Sequence, residues 1–88
     1  MKANISIDRG YQGKNKDNFT AVQINNLIVW FSYNTVIAFS KNGKLTIREN
    51  DWSTTTGKHL NWINDDHSIR VSSDVFEQKL SAALTPAA

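Results

Sequence analysis

The sequence predicts an α+β domain, an antiparallel meander of about four strands with two helices packed on one face. Two observations predict the strands: short apolar and β-branched stretches lie between residues 19 and 48, and asparagine-containing turn signals separate them. A third observation predicts the helices, because apolar residues beyond position 53 recur at helical spacing. Strands that precede helices along the chain are typical of the α+β class.

A hairpin is predicted between residues 19 and 31. The stretch FTAVQI alternates, the pair Asn25-Asn26 offers a tight turn, and LIVWF follows at once. SYNT at 32–35 allows another bend before VIAFS at 36–40. Because LIVWF and VIAFS are apolar on both faces, another layer must cover the second face of these strands.

The strongest turn signal is Asn42-Gly43, because both residues tolerate the positive φ of a tight hairpin. In KLTIR, which follows it, apolar and polar residues alternate, so this strand has one buried and one wet face. Ile5 and Ile7 also alternate, which is consistent with a short edge strand within a loop-rich segment.

Two helices are predicted after the strands. The first spans about residues 54–63, after a Ser/Thr-rich start suited to capping. IRVS at 69–72 favours one more short strand. The terminal helix has Ser72 as its cap, with Val71 placed to pack against Phe76. Its apolar stripe consists of Val75, Phe76, Leu80, Ala83 and Leu84.

Length and composition limit the domain organisation and the compartment. The 88 residues suffice for one core, divided into a basic loop-rich segment at 1–18, a single α+β domain at 19–84 and a frayed tail at 85–88. No cysteine occurs, which excludes disulfides and thiolate sites and fits a cytoplasmic setting. The longest apolar run has five residues, and the first ten lack a signal-peptide pattern, so we expect no membrane association.

The net charge is +2, and it is unevenly distributed. Residues 1–44 contain six basic and two acidic residues, whereas residues 45–88 contain four basic and six acidic residues. With a pI of about 9.1, this division is consistent with a basic surface for an anionic partner. The alternative is ordinary solvated surface charge, because the lysines and arginines are scattered.

The stretch WSTTTGKHL, at 52–60, resembles half of a phosphate-binding loop. A nucleotide-hydrolysing loop requires a glycine five residues before Gly57 and a hydroxyl residue after Lys58, and His59 takes that place. We therefore expect no nucleotide hydrolysis. Two interpretations remain: an anion pocket formed by Gly57, Lys58 and His59, or a helix start capped by Ser and Thr.

No catalytic or metal site is predicted. His59, Asp65, Asp66 and His67 match no common ligand spacing, and NDDHS lacks the glycine and distal glutamate of a calcium loop. The carboxylates of Glu49 and Asp51 are typical of a solvated strand end. We therefore expect no enzymatic activity, no cofactor and no metal.

The aromatic residues suggest a binding surface. Trp30 and Phe31 are neighbours on one strand and point to opposite faces, so one of them is expected on an open sheet face near Tyr33, Lys44 and Arg48. Rings among basic side chains suit the stacking of single-stranded bases. Alternatively, the helices or a second subunit cover that face, and a homodimer would bury the surplus aromatic residues.

Residues 32–63, SYNTVIAFSKNGKLTIRENDWSTTTGKHLNWI, and the later IRVSSDVFEQKL resemble small uncharacterised proteins of bacteriophages and prokaryotes. The similarity is carried by the stretches Arg48-Glu49-Asn50, Trp52-Ser53 and 55–60. It implies a viral or mobile-element setting and brings no function with it. Residues 1–18 are not covered.

Two functions are therefore expected, and the sequence leaves both open. The first is a small accessory protein that binds nucleic acid, and the second is a protein-interaction module that binds a host protein. The nucleic-acid or anion site is predicted to comprise Lys14, Lys16, Trp30, Tyr33, Lys44, Arg48, Gly57, Lys58 and His59.

Overall fold

The structure, a computed structural model, describes residues 5–8, 13 and 16–84. A five-stranded antiparallel sheet runs in chain order, followed by two helices. The strands are β1 (Ile5–Asp8), β2 (Phe19–Ile24), β3 (Leu27–Ser32), β4 (Thr35–Lys41) and β5 (Lys44–Ile47), and the helices are α1 (Thr54–Ile63) and α2 (Ser73–Leu84). The α+β prediction is confirmed, with five strands rather than about four.

Two-residue turns connect β2 through β5, as the asparagine pattern predicted. Asn25, Tyr33 and Asn42 have φ of 53°, 56° and 54°, a left-handed conformation that asparagine tolerates better than most residues. Gly43 follows Asn42 with φ of 81°, so both central residues of this turn have the positive φ that a type I′ hairpin requires.

The register of the central strands contains one irregularity. Trp30 lies opposite Ala38, whereas Phe31 lies opposite Val36, so Ile37 is an extra residue on β4. Such a β-bulge locally changes the alternation of side chains between the two faces. As a result, Ile37 and Ala38 are consecutive and both fully buried in the same cluster.

The two helices lie on opposite faces of the sheet, so the prediction that both pack on one face was wrong. Leu60 of α1 packs in a cluster with Ala38, whereas Phe76 of α2 packs with Phe39. Ala38 and Phe39 are adjacent on β4 and therefore point to opposite faces. The physical reason was already visible in the sequence, since the apolar stretches LIVWF and VIAFS need a cover on each side.

The carboxyl-terminal third departs from the predictions in two places. IRVS forms no strand; Val71 makes a single parallel bridge with Arg48 and packs against the α2-side cluster. Ser72 caps α2 as predicted, accepting from the Val75 N–H. Of the predicted stripe, Val75 and Leu84 are exposed instead, whereas Phe76 and Leu80 are buried.

The predicted amino-terminal segment contributes a strand. β1 pairs antiparallel with β2, with Ile5 opposite Ile24, and therefore belongs to the sheet at its edge. Most of the remaining residues of the basic segment, and the tail at 85–88, lie outside the described residues.

Candidate functional site

The stretch WSTTTGKHL starts a helix. Ser53 is the N-cap of α1, and its hydroxyl accepts from the Thr56 N–H. The Gly57 N–H donates to the Ser53 carbonyl oxygen at 3.1 Å, while His59 is fully buried and Lys58 is exposed. The three residues of the predicted anion pocket are therefore not brought to a common surface, and helix capping accounts for this pattern.

His59 belongs to a buried polar cluster between α1 and β3. Its Nδ1 lies 2.7 Å from Ser32 Oγ, which in turn lies 3.1 Å from Thr56 Oγ1. The ring of Phe19 meets the His59 imidazole edge-on, with centroids 5.1 Å apart. Because buried polar groups are costly unless hydrogen-bonded, this cluster fixes how α1 sits on the sheet.

Arg48 is buried at the end of β5, contrary to the expectation of an open sheet face. Its Nη1 donates to Glu77 Oε1 at 2.8 Å and to the Val36 carbonyl oxygen at 3.3 Å. Its guanidinium carbon lies 4.7 Å from the ring centroid of Trp52 and 4.8 Å from that of Phe76. Arg48 thus joins the end of β5 to α2 through the ion pair with Glu77 and the cation–π contact with Phe76, and a second cation–π contact joins it to Trp52, which precedes α1.

The other predicted residues are divided among several places. Trp30 is half-buried and packs against the α1-side cluster, whereas Lys44 lines a cavity on the α2 side. Tyr33 is half-exposed in the β3–β4 turn, at 50%. Lys14 lies outside the described residues, and the side chain of Lys16 is likewise not described. Trp30, Tyr33, Lys44 and Arg48 therefore do not form the single stacking surface that we expected.

Lys44 instead belongs to a cavity of about 350 Å³, here called the lysine pocket. It lies between the β4–β5 hairpin and the carboxyl-terminal part of α2, and its lining includes Lys41, Lys44, Lys79, Phe39, Ala82 and Ala83. Lys41 Nζ donates to the Ala83 carbonyl oxygen at 3.2 Å, which neutralises part of the negative end of α2. No carboxylate lines the cavity among the described residues.

A second cavity, of about 390 Å³, is here called the polar pocket. Asn61 Oδ1 accepts from Arg70 Nη2 at 2.8 Å and from His67 Nε2 at 3.1 Å. The described residues that line it are Glu49, Asn50, Gly57, Asn61, His67 and Arg70. Both an acidic and a basic side chain therefore face one small volume.

One apolar surface is exposed at the sheet edge, here called the isoleucine row. It comprises Ile5, Ile7 and Ile24, which are 65%, 64% and 43% exposed. Ile5 lies opposite Ile24 in the register, and Ile5 and Ile7 are two positions apart on β1, so the three share one face. Contiguous exposed apolar side chains of this kind are typical of interaction surfaces.

An aspartate between the two helices has a shifted pKa. The Ser68 hydroxyl, and then the Ser68 N–H, donate to Asp66 and hold the pKa of that carboxyl below its usual range. Asp66 also caps the short helical turn His67–Ile69. These contacts are local, and they explain the NDDHS sequence as turn chemistry.

The described part of the chain contains neither a metal-binding cluster nor a membrane-spanning helix. No group of three or more histidine, aspartate and glutamate residues there is arranged to hold a metal ion. No helix among residues 16–84 is long and apolar enough to cross a membrane.

Sequence reasoning missed most of both pockets. Lys41 and Lys79 are far apart in the sequence and meet only because the end of α2 lies beside the β4–β5 hairpin. The sequence predicted Arg70 in a short strand, and it indicated for Asn61 only that this residue lies on a helix. The only available signal was the basic KNGK turn, which contains Lys41 and Lys44.

The comparisons with known proteins give a family and no function. No curated protein and no solved structure matches the chain significantly. A family model described as a family of unknown function (DUF8033) matches residues 8–78, which cover β2 to β5, α1 and the start of α2. Because this match spans most of the chain, the protein belongs to the DUF8033 family.

Proposed function

We propose that this protein is a small non-enzymatic accessory protein that binds nucleic acid by contacting phosphates at the lysine pocket. The proposal rests on one observation: Lys41 of β4, Lys44 of β5 and Lys79 of α2 line the same cavity. None of the described residues that line this cavity has a carboxylate side chain. An ammonium group is a compact point charge well suited to a phosphate oxygen.

The three lysine side chains differ in the contacts that they make within the protein. The Lys41 side chain is held by the end of α2, whereas the side chains of Lys44 and Lys79 make no hydrogen bond or ion pair with any described residue. Binding a phosphate therefore breaks no ion pair at Lys44 or Lys79. Phosphate contacts provide affinity and position without sequence information, so three lysines support modest, salt-sensitive binding.

The proposed setting follows the sequence resemblance to phage and prokaryotic proteins. In that setting the protein would act in the host cytoplasm. A chain without cysteine is consistent with this reducing compartment, where proteins rarely contain disulfides. A short basic domain could contact exposed nucleic acid there without any catalytic residue.

Fluorescence anisotropy with labelled single- and double-stranded oligonucleotides tests the proposal. We expect dissociation constants between about 1 and about 100 µM at moderate salt, which weaken as salt rises. The double variant Lys44→Ala/Lys79→Ala should bind at least about tenfold more weakly, since each phosphate contact contributes to affinity. Lys58→Ala is the matched control, because Lys58 is exposed on α1 and does not line the pocket.

Two results would overturn the proposal. One is the absence of binding at about 50 mM salt, where phosphate contacts are strong. The other is an equal loss of affinity in the double variant and in Lys58→Ala.

The isoleucine row supports a second candidate function, protein interaction. Among the described strands β1 lies at the edge of the sheet and carries an exposed apolar face, and these two features favour pairing with a partner's strand. The partner would be a host protein or a second copy of this chain. Light scattering of the wild type and of Ile7→Ser tests self-association, with the exposed Ile69→Ser as control. A concentration-independent monomer mass for the wild type would contradict the homodimer.

A further inference from the structure

The polar pocket contains opposite charges that do not pair. Glu49 and Arg70 line the same cavity, yet the sole ion pair within 4.0 Å among the described residues joins Arg48 to Glu77. The Glu49 carboxylate also accepts no hydrogen bond from a described residue; only the Glu49 backbone N–H is used, toward the Val71 carbonyl oxygen. Both charges therefore remain available to a third group placed in the cavity.

Arg70 retains a donor that is not used within the described residues. Its Nη2 donates to Asn61 Oδ1 and to the Asn64 carbonyl oxygen, at 2.8 and 3.4 Å. Its Nε is buried and has no hydrogen-bond partner among the described residues. Arg48 Nε is likewise buried without a described partner, so the donor that Arg70 can offer to a ligand is Nη1, which donates to no described residue.

The donors and acceptors of the pocket define the ligand. A carboxylate only accepts hydrogen bonds, and its two oxygens match two adjacent N–H groups, whereas a guanidinium only donates. A ligand that satisfies both groups therefore presents adjacent N–H donors next to an oxygen acceptor.

We propose that the polar pocket binds a guanine base by its Watson–Crick edge. The guanine N1–H and N2–H groups would donate to Glu49, and the O6 atom would accept from Arg70 or from the Asn61 amide. Adenine presents a single amino donor beside an unprotonated ring nitrogen, so it cannot satisfy both oxygens of Glu49. This proposal rests on the proposed nucleic-acid binding and adds to it the base that the protein selects.

The two pockets lie near opposite ends of β5, with α2 beside the lysine pocket and α1 beside the polar pocket. Lys44 begins β5, and Glu49 lies two residues beyond the end of that strand, so roughly 16 Å of extended chain separates them. A single strand bound at both pockets must therefore pass around the end of the sheet, with phosphates at the lysine pocket and an unstacked base in the polar pocket. Recognition of unstacked bases on their Watson–Crick edges is common in single-stranded RNA binding.

Titration of the ¹⁵N-labelled full chain with guanosine 5′-monophosphate tests the site, with adenosine 5′-monophosphate and inorganic phosphate as parallel probes. We expect the guanine nucleotide alone to shift the amide signals of Gly57, Asn61 and Arg70 at millimolar concentration. Glu49→Gln should weaken this binding about tenfold, because it replaces one acceptor oxygen with a donor. Circular dichroism confirms that the variant is folded, and the exposed Asp51→Asn is its charge-matched control.

Three results would overturn the site: no shift with the guanine nucleotide, equal shifts with the adenine nucleotide or phosphate, or unchanged binding by Glu49→Gln.

Thymidine oligonucleotides of about 12 residues, with and without one central guanine, separate failure of this site from failure of the proposed function. Glu49→Gln should lose the preference for the guanine strand and keep the salt dependence. Lys44→Ala/Lys79→Ala should weaken binding of both strands and keep the preference.

Discussion

Ser32 Oγ lies 2.7 Å from His59 Nδ1, in a buried contact between β3 and α1. Ser32 ends β3, and its hydroxyl is also 3.1 Å from Thr56 Oγ1, so one small side chain holds two positions of α1. Polar contacts in a low-dielectric interior are strong when satisfied and costly when one member is removed. The stability of the domain should therefore depend on this serine.

Ser32→Ala should lower the free energy of unfolding by about 1 to 3 kcal/mol, because it leaves the buried polar atoms of Thr56 and His59 without this partner. Urea denaturation measures the change. Ser40→Ala, on the same face of the sheet and without a described side-chain hydrogen bond, should change the free energy by less than about 0.5 kcal/mol. Equal effects of the two substitutions would contradict this role of the cluster.

Arg48 should matter more than the glutamate with which it pairs. Arg48→Ala removes a buried side chain from between Trp52 and Phe76, and should cost about 2 to 3 kcal/mol of unfolding free energy. Glu77 is largely exposed, so Glu77→Gln should cost less than about 1 kcal/mol. Denaturant unfolding compares the two variants, and a larger loss for Glu77→Gln would show that the ion pair dominates.

Gly57 occupies a helical position where alanine normally stabilises by about 1 kcal/mol. A Cβ there would lie 3.0 Å from Asn50 Nδ2, an atom that donates to the Ser53 carbonyl oxygen. Gly57→Ala should therefore fail to stabilise the wild type and should stabilise the Asn50→Ala background. Thermal or urea unfolding of the wild type, the two single variants and the double variant measures the coupling free energy between the two positions, which is expected at about 0.5 to 1 kcal/mol. Equal gains in both backgrounds would exclude the steric explanation.

The pKa of Asp66 is held down chiefly by the Ser68 hydroxyl and then by the Ser68 N–H. Because the folded-state pKa lies below the unfolded one, the stabilisation is present above the unfolded pKa and is lost as pH falls through the folded pKa. Ser68→Ala should raise the pKa of Asp66 toward its ordinary value, as followed by NMR titration of the carboxyl carbon. An unchanged titration midpoint would remove the hydroxyl as the cause.

Much of the sheet was predictable because its determinants are local. Alternation and asparagine turns predicted β2 to β5, since side chains two apart share a face and positive φ restricts the turn residues. The side of the sheet that each helix covers was not predictable in this way. The extra residue Ile37 shifts the alternation on β4, and an apolar stretch such as LIVWF does not show which helix covers which face.

The candidate sites depended on distant residues and were predicted only in part. Lys44 is exposed, as its alternation with Leu45 and Ile47 indicates, but Lys79 lies beside it and Lys41 only through the packing of α2. Arg48 looked like a surface cation in the sequence, because nothing local indicates that Trp52 and Phe76 enclose it. Glu49 was read as part of a solvated strand end, since its position in a cavity with Arg70 depends on the bridge at Val71.

The salt dependence of oligonucleotide binding tests the central claim most directly. Three phosphate contacts predict a slope of about −2 for the logarithm of the binding constant against the logarithm of salt concentration on a single strand. In Lys44→Ala/Lys79→Ala the slope should become shallower, between about −1 and zero. In Lys58→Ala it should remain at the wild-type value. An unchanged slope in the double variant would show that phosphates do not bind at the lysine pocket.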